Sequence, residues 1–486
     1  MDAKGSSRVV TGLLAIAFLW LQMPGLGLLP GDEWIYLKGG QLLAHGVLPY
    51  QDYFLAHPPL RTVLACLIWL ASGSVLATKA LCLLATVGTA VALHVLSDRW
   101  VRPGAGPLAV ALFLFSQTTL TTAPFFVGIN LALFLAVAGL LCLEFECPLW
   151  AGLFHSFALT AALYAALPVA VAVVVVVLFR RRWMPRYALG LTAFLVVFAL
   201  CCWAFGMGFV EQVFLYHFKK SGDMPGFESS GSVFAGFLEY SYLVVILPLL
   251  GAPIWGRTPR LAVAAVSGLV LTATVALYPS AHSYYFLLGL PFLAVGGAGA
   301  VLEFARLLRA KLSGKISAMV LVVLAFGTSF YFYDTLSRHI NVRNIWTKVS
   351  AESASLAAVV SDSGADCVLF GDSSAVPMVS AILYPEVECS IAGDILDTNP
   401  KRLYTGLVSP QGIIEQADSG GANRLLFIDK HGLYTVPQVR KWAQTQFVEV
   451  QRIHARASAA VYILYEKRTN PLDSTGLPRA LTRENR

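Results

Sequence analysis

The sequence is short of charged residues. Only 13% of its 486 residues are Asp, Glu, Lys or Arg, whereas 57% are hydrophobic. An ordinary soluble domain carries about 25% charged residues, so this composition argues against a water-soluble enzyme. The sequence also lacks a Cys-x-x-Cys metal pattern, an internal repeat and a low-complexity tract. These absences argue against a zinc module and against a transporter built from repeats.

Long apolar runs are abundant instead. A helix needs roughly 20 apolar residues to cross about 30 Å of hydrocarbon. We therefore predict an all-α polytopic membrane bundle of about eleven transmembrane helices in residues 1–340, followed by a small C-terminal extracytoplasmic α/β domain. The run at 150–179 is long enough to be a broken pair around Pro168. The predicted spans are 9–29, 58–72, 77–97, 106–121, 124–144, 150–179, 186–206, 234–255, 260–278, 282–305 and 315–335.

Basic residues in short loops predict the orientation. Positive charge next to helix ends marks the cytoplasmic side, and it occurs before the first span and in the loops 180–186, 257–260 and 306–315. Alternation then places the loops 30–57 and 207–233, and the chain after about 336, outside a plasma membrane. It also places Arg99 and Arg102 outside, against the rule. Basic residues scattered among spans do not indicate a nucleic-acid partner.

The last third of the chain has a different pattern. Short strands predicted at 366–372, 424–430 and 459–466 alternate with amphipathic stretches near 375–384, 410–417 and 436–446. This alternation predicts an α/β domain over 341–467, and the polar segment 468–486 is predicted to be disordered. Cys367 and Cys389 are available for a disulfide if this domain is extracytoplasmic. The domain lacks the glycine-rich phosphate loop of a nucleotide-binding fold.

The first predicted outer loop carries the residues that suggest chemistry. Asp32 and Glu33 follow the first span directly, and carboxylates near a membrane are costly to keep. A carboxylate beside another in a partly desolvated site has a raised pKa, which suits a general base. The alternative is structural, with Asp32 as the N-cap of a helix at 33–45 and Glu33 favoured by the helix dipole.

The loop as a whole resembles a known family. Asp32-Glu33 is followed by an amphipathic stretch, then by GVLPYQDYF at 46–54 and by His-Pro-Pro at 57–59. This pattern resembles the GT-C superfamily of membrane glycosyltransferases, in particular the branch of the protein O-mannosyltransferases and the aminoarabinose transferases of lipid A. Residues 278–291, YPSAHSYYFLLGLP, resemble a later span of that family.

The resemblance implies an inverting glycosyltransferase. Its donor is a sugar on a polyprenyl phosphate at the outer membrane face, and its acceptor is a lipid, a glycan or a protein. Asp32 is the implied catalytic base, with Glu33 beside it. Positive or polar groups stabilise the departing phosphate. The residues predicted to bind substrate or phosphate are Arg61, His57, Asp52, Tyr50, Lys219, Lys220, His282 and Tyr285.

Two stretches depart from the family pattern. Many relatives carry a second acidic residue in the region of TTAPFFVGIN at 121–130, which here has Asn130 and no carboxylate. Many also carry a Thr-Lys pair where this chain has TAALYAALP at 160–168, with Tyr164 and no lysine. We predict no cofactor, although carboxylate oxygens in the first loop could bind a divalent metal. The competing functions are a transporter or lipid flippase and a non-catalytic assembly factor.

Overall fold

The structure is a computed structural model. It describes residues 3–27, 33–219, 229–278, 281–311, 314–361, 367–372, 389–392, 401–455 and 460–468. The chain divides into two compact units, Met1–Ser350 and Ala351–Arg486. The boundary lies ten residues beyond the predicted one.

The first unit is built almost entirely of helices. Within the described residues, six helical segments are long and apolar enough to cross a membrane: Gly5–Gly27, Val75–Trp100, Arg181–Lys219, Ser230–Leu250, Pro259–Leu277 and Leu290–Ala310. The helices are α1 Ala3–Gln22, α2 Glu33–Ala44, α3 Leu60–Ser72, α4 Val75–Trp100, α5 Gly106–Leu114, α6 Gln117–Thr122, α7 Ile129–Glu144, α8 Pro148–Ala161, α9 Ala166–Phe179, α10 Met184–Val210, α11 Tyr216–Lys219, α12 Ser230–Leu250, α13 Pro259–Leu277, α14 Leu290–Lys311 and α15 Gly314–Ser361.

Two predicted spans are interrupted. The run at 106–121 breaks at Ser116, whose side chain caps α6 by accepting from the Thr119 amide. The run at 150–179 breaks at Ala162, where the backbone is extended (φ −161°, ψ 133°). Pro168 is accommodated in the first turn of α9, where a missing N–H costs nothing. The helix therefore starts just before the proline, and the break lies six residues earlier than expected.

The first unit has two chemically different ends. α4 contains Lys79, which pairs with Glu33, near its start and ends at Trp100. These positions lie roughly 31 Å apart along the helix, at 1.5 Å per residue. We call the end with Glu33 and Lys79 the site end. The other we call the arginine end, because Trp100 lies there in a cleft that Glu144, Arg180 and Arg260 also line.

Alternation puts Arg99 and Arg102 on the opposite side from the loops 180–186 and 257–260, but the structure places them at the same end as Arg180 and Arg260. Arg99 donates to the carbonyl of Glu144, and Arg102 donates to that of Leu302. Both therefore lie at the arginine end. The difference arises at the predicted span 58–72. It is the 13-residue helix α3, which packs on α2 and leads into α4 at the site end. The predicted span 150–179 is two helices rather than one, which restores the alternation for the loops that follow.

The second unit contains a five-stranded sheet. Its strands are β1 Val368–Gly371, β2 Ser390–Ile391, β3 Arg424–Ile428, β4 Phe447–His454 and β5 Val461–Lys467, in the order β2-β1-β3-β5-β4. The first three are parallel, and β5 is antiparallel to both β3 and β4. The remaining described helices are α16 Lys401–Tyr404, α17 Pro410–Ser419 and α18 Pro437–Gln446. The sheet agrees with the predicted α/β class.

The predictions for this unit differ in outcome. The three predicted strands correspond to β1, β3 and β5, and two amphipathic stretches correspond to α17 and α18. Sequence reasoning missed β2 and β4, because β2 has two residues and β4 is an edge strand exposed along most of its length. The pairing of Cys367 with Cys389 is present. The amphipathic stretch 375–384 and the tail 469–486 lie outside the described residues.

Candidate functional site

Glu33 is the first residue of α2 and is completely buried. Its carboxylate lies 3.0 Å from the Lys79 ammonium, and both side chains have 0% exposure. The Phe126 amide also donates to this carboxylate, at 2.5 Å. Burial raises the pKa of Glu33 above its usual range, and Lys79 and the Phe126 amide oppose that rise. Two helices and the segment before α7 therefore meet at this carboxylate.

Sequence reasoning missed Lys79. It is a single basic residue in the apolar stretch that begins α4. A charged residue inside a membrane helix marks a functional or paired site by default, so the signal was present. The family pattern predicts a lysine at 160–168, where this chain has none. The lysine of the site is Lys79, which comes from α4.

Arg61, in the first turn of α3, is a second buried cation. Its side chain is 1% exposed, and its guanidinium carbon lies 3.4 Å from the centre of the Tyr36 ring. One terminal nitrogen donates to the carbonyl of Val127. In the part of the chain that the structure describes, Nε and Nη2 have no hydrogen-bond partner. A buried cation with unused donors is costly, and an anionic ligand would satisfy it.

Gly128 makes room for Arg61. Its φ is +80°, and a Cβ built on it would lie 2.6 Å from both Cδ and Nη1 of the arginine. The segment 121–130 thus contributes main-chain groups to the site, although it carries no carboxylate. Asn130 lies beside them, and its amide donates to the carbonyl of Thr122.

Tyrosine and histidine rings adjoin Arg61. His57 packs edge-on to Tyr36, with ring centres 5.4 Å apart, and the Tyr164 hydroxyl lies 3.2 Å from its Nδ1. His217 donates through Nε2 to the carbonyl of Ala56, and its ring centre is 5.4 Å from that of His57. Tyr285 packs on Tyr164 at 4.6 Å. These rings come from four separate parts of the chain and form one aromatic cluster.

The other predicted residues of the first loop have structural contacts. The Tyr50 hydroxyl donates to the carbonyl of His57, and its ring is buried. Asp52 is exposed, and its carboxylate accepts from the Leu48 amide within the turn. The geometry therefore gives Tyr50 a supporting position behind His57 and gives Asp52 the role of closing a turn.

The remaining predicted residues lie at the periphery or outside the description. His282 stacks on Tyr284, and its ring centre is 5.7 Å from that of Tyr285. Lys219 is exposed at the end of α11. Asp32 and Lys220 lie outside the described residues. The structure thus brings together Glu33, His57, Arg61 and Tyr285, and adds Tyr36, Lys79, Tyr164 and His217, which sequence reasoning did not select.

A metal site is not evident in the described residues. No group of three or more His, Cys, Asp or Glu side chains is placed there to hold an ion. Asp32 is not among the residues covered by that statement. The prediction that no cofactor is needed stays a prediction.

No family model matches the chain, and no curated protein matches it. Solved structures do match over almost the whole chain. ArnT from Cupriavidus metallidurans in the apo state is 14% identical, with a TM-score of 0.63 over 94% of this chain and 98% of its own. The same protein bound to undecaprenyl phosphate matches with a TM-score of 0.58 over 93% and 97%.

Two further structures are similar at lower scores. The oligosaccharyltransferase AglB from Archaeoglobus fulgidus, in complex with an inhibitory peptide and a dolichol-phosphate, is 10% identical, with a TM-score of 0.55 over 96% of this chain and 75% of its own. The arabinofuranosyltransferase AftD from mycobacteria is 16% identical, with a TM-score of 0.51 over 97% and 40%. The chain therefore has the fold that ArnT, AglB and AftD share.

Proposed function

We propose that this membrane protein transfers a sugar from a polyprenyl-phosphate carrier to a cell-envelope acceptor, with inversion at the anomeric carbon. The acceptor hydroxyl oxygen attacks that carbon while its proton passes to a carboxylate base. The bond from the anomeric carbon to the phosphate oxygen breaks, and the polyprenyl phosphate leaves with the electron pair. The fold supports this proposal, and so do the lipid phosphates bound to ArnT and AglB.

The observation that best supports the proposal is that Arg61 is buried and that two of its nitrogens, in the described part of the chain, have no hydrogen-bond partner. A phosphate ester that becomes a leaving group gains negative charge, and buried donors aimed at developing charge are the main means of stabilising it. Arg61 offers Nε and Nη2 for this purpose within the described part of the site. Tyr36 and Gly128 hold the guanidinium in place. We assign Arg61 to the phosphate, and His57 with Tyr285 to the adjoining walls.

Asp32 and Glu33 receive different roles. Glu33 is fully buried and bound to Lys79 and the Phe126 amide, which leaves it poorly placed to take a proton from an acceptor. We therefore propose Asp32 as the base and Glu33 as a positioning residue that holds the start of α2. Lys79 neutralises Glu33.

The distribution of basic residues supports an outer location for the site. Arg99, Arg102, Arg180 and Arg260 all lie at the arginine end, opposite the site end. By the positive-inside rule that end is cytoplasmic, so the site faces outward. The disulfide between Cys367 and Cys389 suits an extracytoplasmic second unit. If α3 does not cross the membrane, and α8 and α9 cross separately, the total of eleven spans is retained.

The sugar can be found by comparing envelope glycans of cells with and without this protein by mass spectrometry. Undecaprenyl phosphate carrying that sugar, radiolabelled, is then given to the purified full-length protein with envelope extract as acceptor. We expect a new labelled glycosidic product. Movement of label across proteoliposomes without a new glycosidic bond would instead identify a transporter or flippase.

Two substitutions test the residue assignments. Asp32→Asn should abolish transfer while leaving undecaprenyl phosphate binding within about threefold, because it removes the base and keeps the shape. Arg61→Gln should weaken undecaprenyl phosphate binding by about tenfold or more, since a charge-assisted hydrogen bond contributes roughly 1.5–3 kcal/mol. Arg186→Gln, at an exposed position in the first turn of α10, is the control. Unchanged binding in Arg61→Gln would refute the assignment to phosphate.

A further inference from the structure

The arginine end contains a cleft that the proposed reaction does not use. It lies where α4, α7, α9 and α13 end or begin. The cleft is shallow and open to solvent. The residues that line it are Trp100, Leu143, Glu144, Val175, Phe179, Arg180, Trp183, Arg260 and Val263.

The lining combines positive charge with one carboxylate. Arg260 lies 3.3 Å from Glu144, and their side chains are 39% and 9% exposed. The guanidinium of Arg180 lies over the Trp183 ring, 4.9 Å from its centre. Glu144 is the one acidic residue among the described lining residues, against two arginines. The excess charge is positive and favours an anion.

Trp100 supplies an independent sign of a missing ligand. It is 4% exposed, and within the described part of the chain its Nε1 has no hydrogen-bond partner. A buried indole N–H normally finds an acceptor. An oxygen that came within reach of this nitrogen would satisfy it.

The apolar residues of the lining favour an anion that carries acyl chains over a free ion. Leu143, Val175, Phe179 and Val263 face the same cleft as the two arginines. A free phosphate ion would gain nothing from these side chains. A phospholipid presents a phosphate next to acyl chains, and basic pockets between membrane helices bind such headgroups. Tryptophan at the same level is typical of the membrane–water interface.

We propose that this cleft binds the phosphodiester headgroup of an anionic phospholipid. Arg180 and Arg260 contact the phosphate, the Trp100 indole donates to a headgroup oxygen, and the apolar residues contact the upper acyl chain. Glu144 competes with the lipid for Arg260. The site is independent of glycosyl transfer, because it lies about one helix length from Arg61 and Glu33.

Native mass spectrometry of the purified full-length protein tests this proposal. The probes are phosphatidylglycerol and phosphatidylcholine with identical acyl chains, and glycerol 3-phosphate as the free anion. We expect phosphatidylglycerol to bind more tightly than phosphatidylcholine, and glycerol 3-phosphate in excess to displace neither. Arg180→Gln should weaken phosphatidylglycerol binding about fivefold, the contribution of one basic residue near an anionic surface. Trp100→Phe should weaken it by about threefold, because it removes the N–H and keeps a large ring.

Two more variants should strengthen phosphatidylglycerol binding or leave it unchanged. Glu144→Gln should strengthen phosphatidylglycerol binding, because it frees Arg260 and removes the competing charge. Arg186→Gln, exposed and outside the cleft lining, should leave binding unchanged. Variants are compared after gel filtration and thermal melting show intact protein. The proposal is overturned if both lipids bind equally, if Arg186→Gln costs as much as Arg180→Gln, if Glu144→Gln weakens binding, or if glycerol 3-phosphate displaces the lipid.

Discussion

The two ends of the helical unit hold the same kind of ion pair in opposite environments. At the site end, Lys79 and Glu33 lie 3.0 Å apart with both side chains at 0% exposure. At the arginine end, Arg260 and Glu144 lie 3.3 Å apart, with 39% of the arginine side chain exposed. Distance alone does not distinguish the pairs, but solvent access does.

This difference decides what each end can do. A buried pair must be complete, because removing one partner leaves an uncompensated charge in a low dielectric. The site end is therefore fixed, with Glu33 also bound to the Phe126 amide. A half-exposed pair is weak, and water or a lipid headgroup can replace either partner. The arginine end can therefore exchange ligands without losing the fold.

Removing one partner at each end should give the largest contrast. Lys79→Met should lower the free energy of unfolding by about 3–5 kcal/mol, because it leaves Glu33 buried and unpaired. Arg260→Gln should lower it by less than about 1 kcal/mol, as for other exposed pairs. Denaturant unfolding of the full-length protein in detergent micelles measures both.

A double variant gives the control. Lys79→Met combined with Glu33→Gln removes both charges and should recover much of the loss. If the single variants at the two ends cost the same, or if the double variant is no more stable than Lys79→Met, the contrast between the ends does not hold.

Two glycines permit a comparison of crowding at the two ends. Gly128 at the site end and Gly104 at the arginine end have similar φ values, +80° and +87°. A Cβ on Gly128 would meet Arg61 at 2.6 Å, whereas a Cβ on Gly104 would meet nothing within 4 Å. Each Gly→Ala change costs about 1–2 kcal/mol of backbone strain. Gly128→Ala should in addition displace Arg61 and weaken undecaprenyl phosphate binding by about tenfold.

Gly104→Ala serves as the matched control, because it carries the backbone cost without the clash. Thermal melting reports the shared cost, and lipid-phosphate titration reports the displacement of Arg61. Equal titration curves for the two variants would mean that the position of Arg61 does not affect the binding of lipid phosphate.

A third buried carboxylate extends the comparison to the second unit. Asp372, 2% exposed at the end of β1, accepts from the main-chain amides of Ile428 and Leu433. Burial raises its pKa to about 7, and these two hydrogen bonds oppose the rise. An unfolded Asp has a pKa of about 3.9. The folded unit therefore holds the proton more tightly, so its contribution to stability is present below about pH 4 and is lost as the pH rises towards about 7.

Hydrogen exchange of peptides covering Arg424–Ile428 in the full-length protein measures this dependence. After correction for intrinsic rates, protection should fall between pH 5 and pH 8. Asp372→Asn should lower protection at pH 5 and remove the slope, whereas Asp418→Asn, exposed on α17, should keep the slope. A wild-type profile that rises with pH would show that the two amide bonds outweigh burial.

The sequence predicted much of the candidate site through a local motif. Glu33 and His57 belong to the loop that resembles the GT-C pattern, and Arg61 was predicted as a basic residue that directly follows it. Tyr285 came from the second resembling stretch. Lys79, Tyr36, Tyr164 and His217 were missed because each is unremarkable in its own segment. Their importance comes from meeting the same buried space, a contact between distant positions that periodicity does not report.

Composition and apolar runs were enough to establish a membrane protein with a separate α/β unit, because hydrocarbon requires long apolar helices whatever their arrangement. Which runs cross, which ends meet and which charges are buried depended on tertiary packing. The predicted span at 58–72 is α3, which leads into α4 at the site end, so α4 places Arg99 and Arg102 at the opposite end. The run at 150–179 breaks at Ala162. Only the packing of the helices determines whether an ion pair is fully buried, as at Glu33, or partly exposed, as at Glu144. The reason is that burial depends on the neighbouring residues and not on the residue itself.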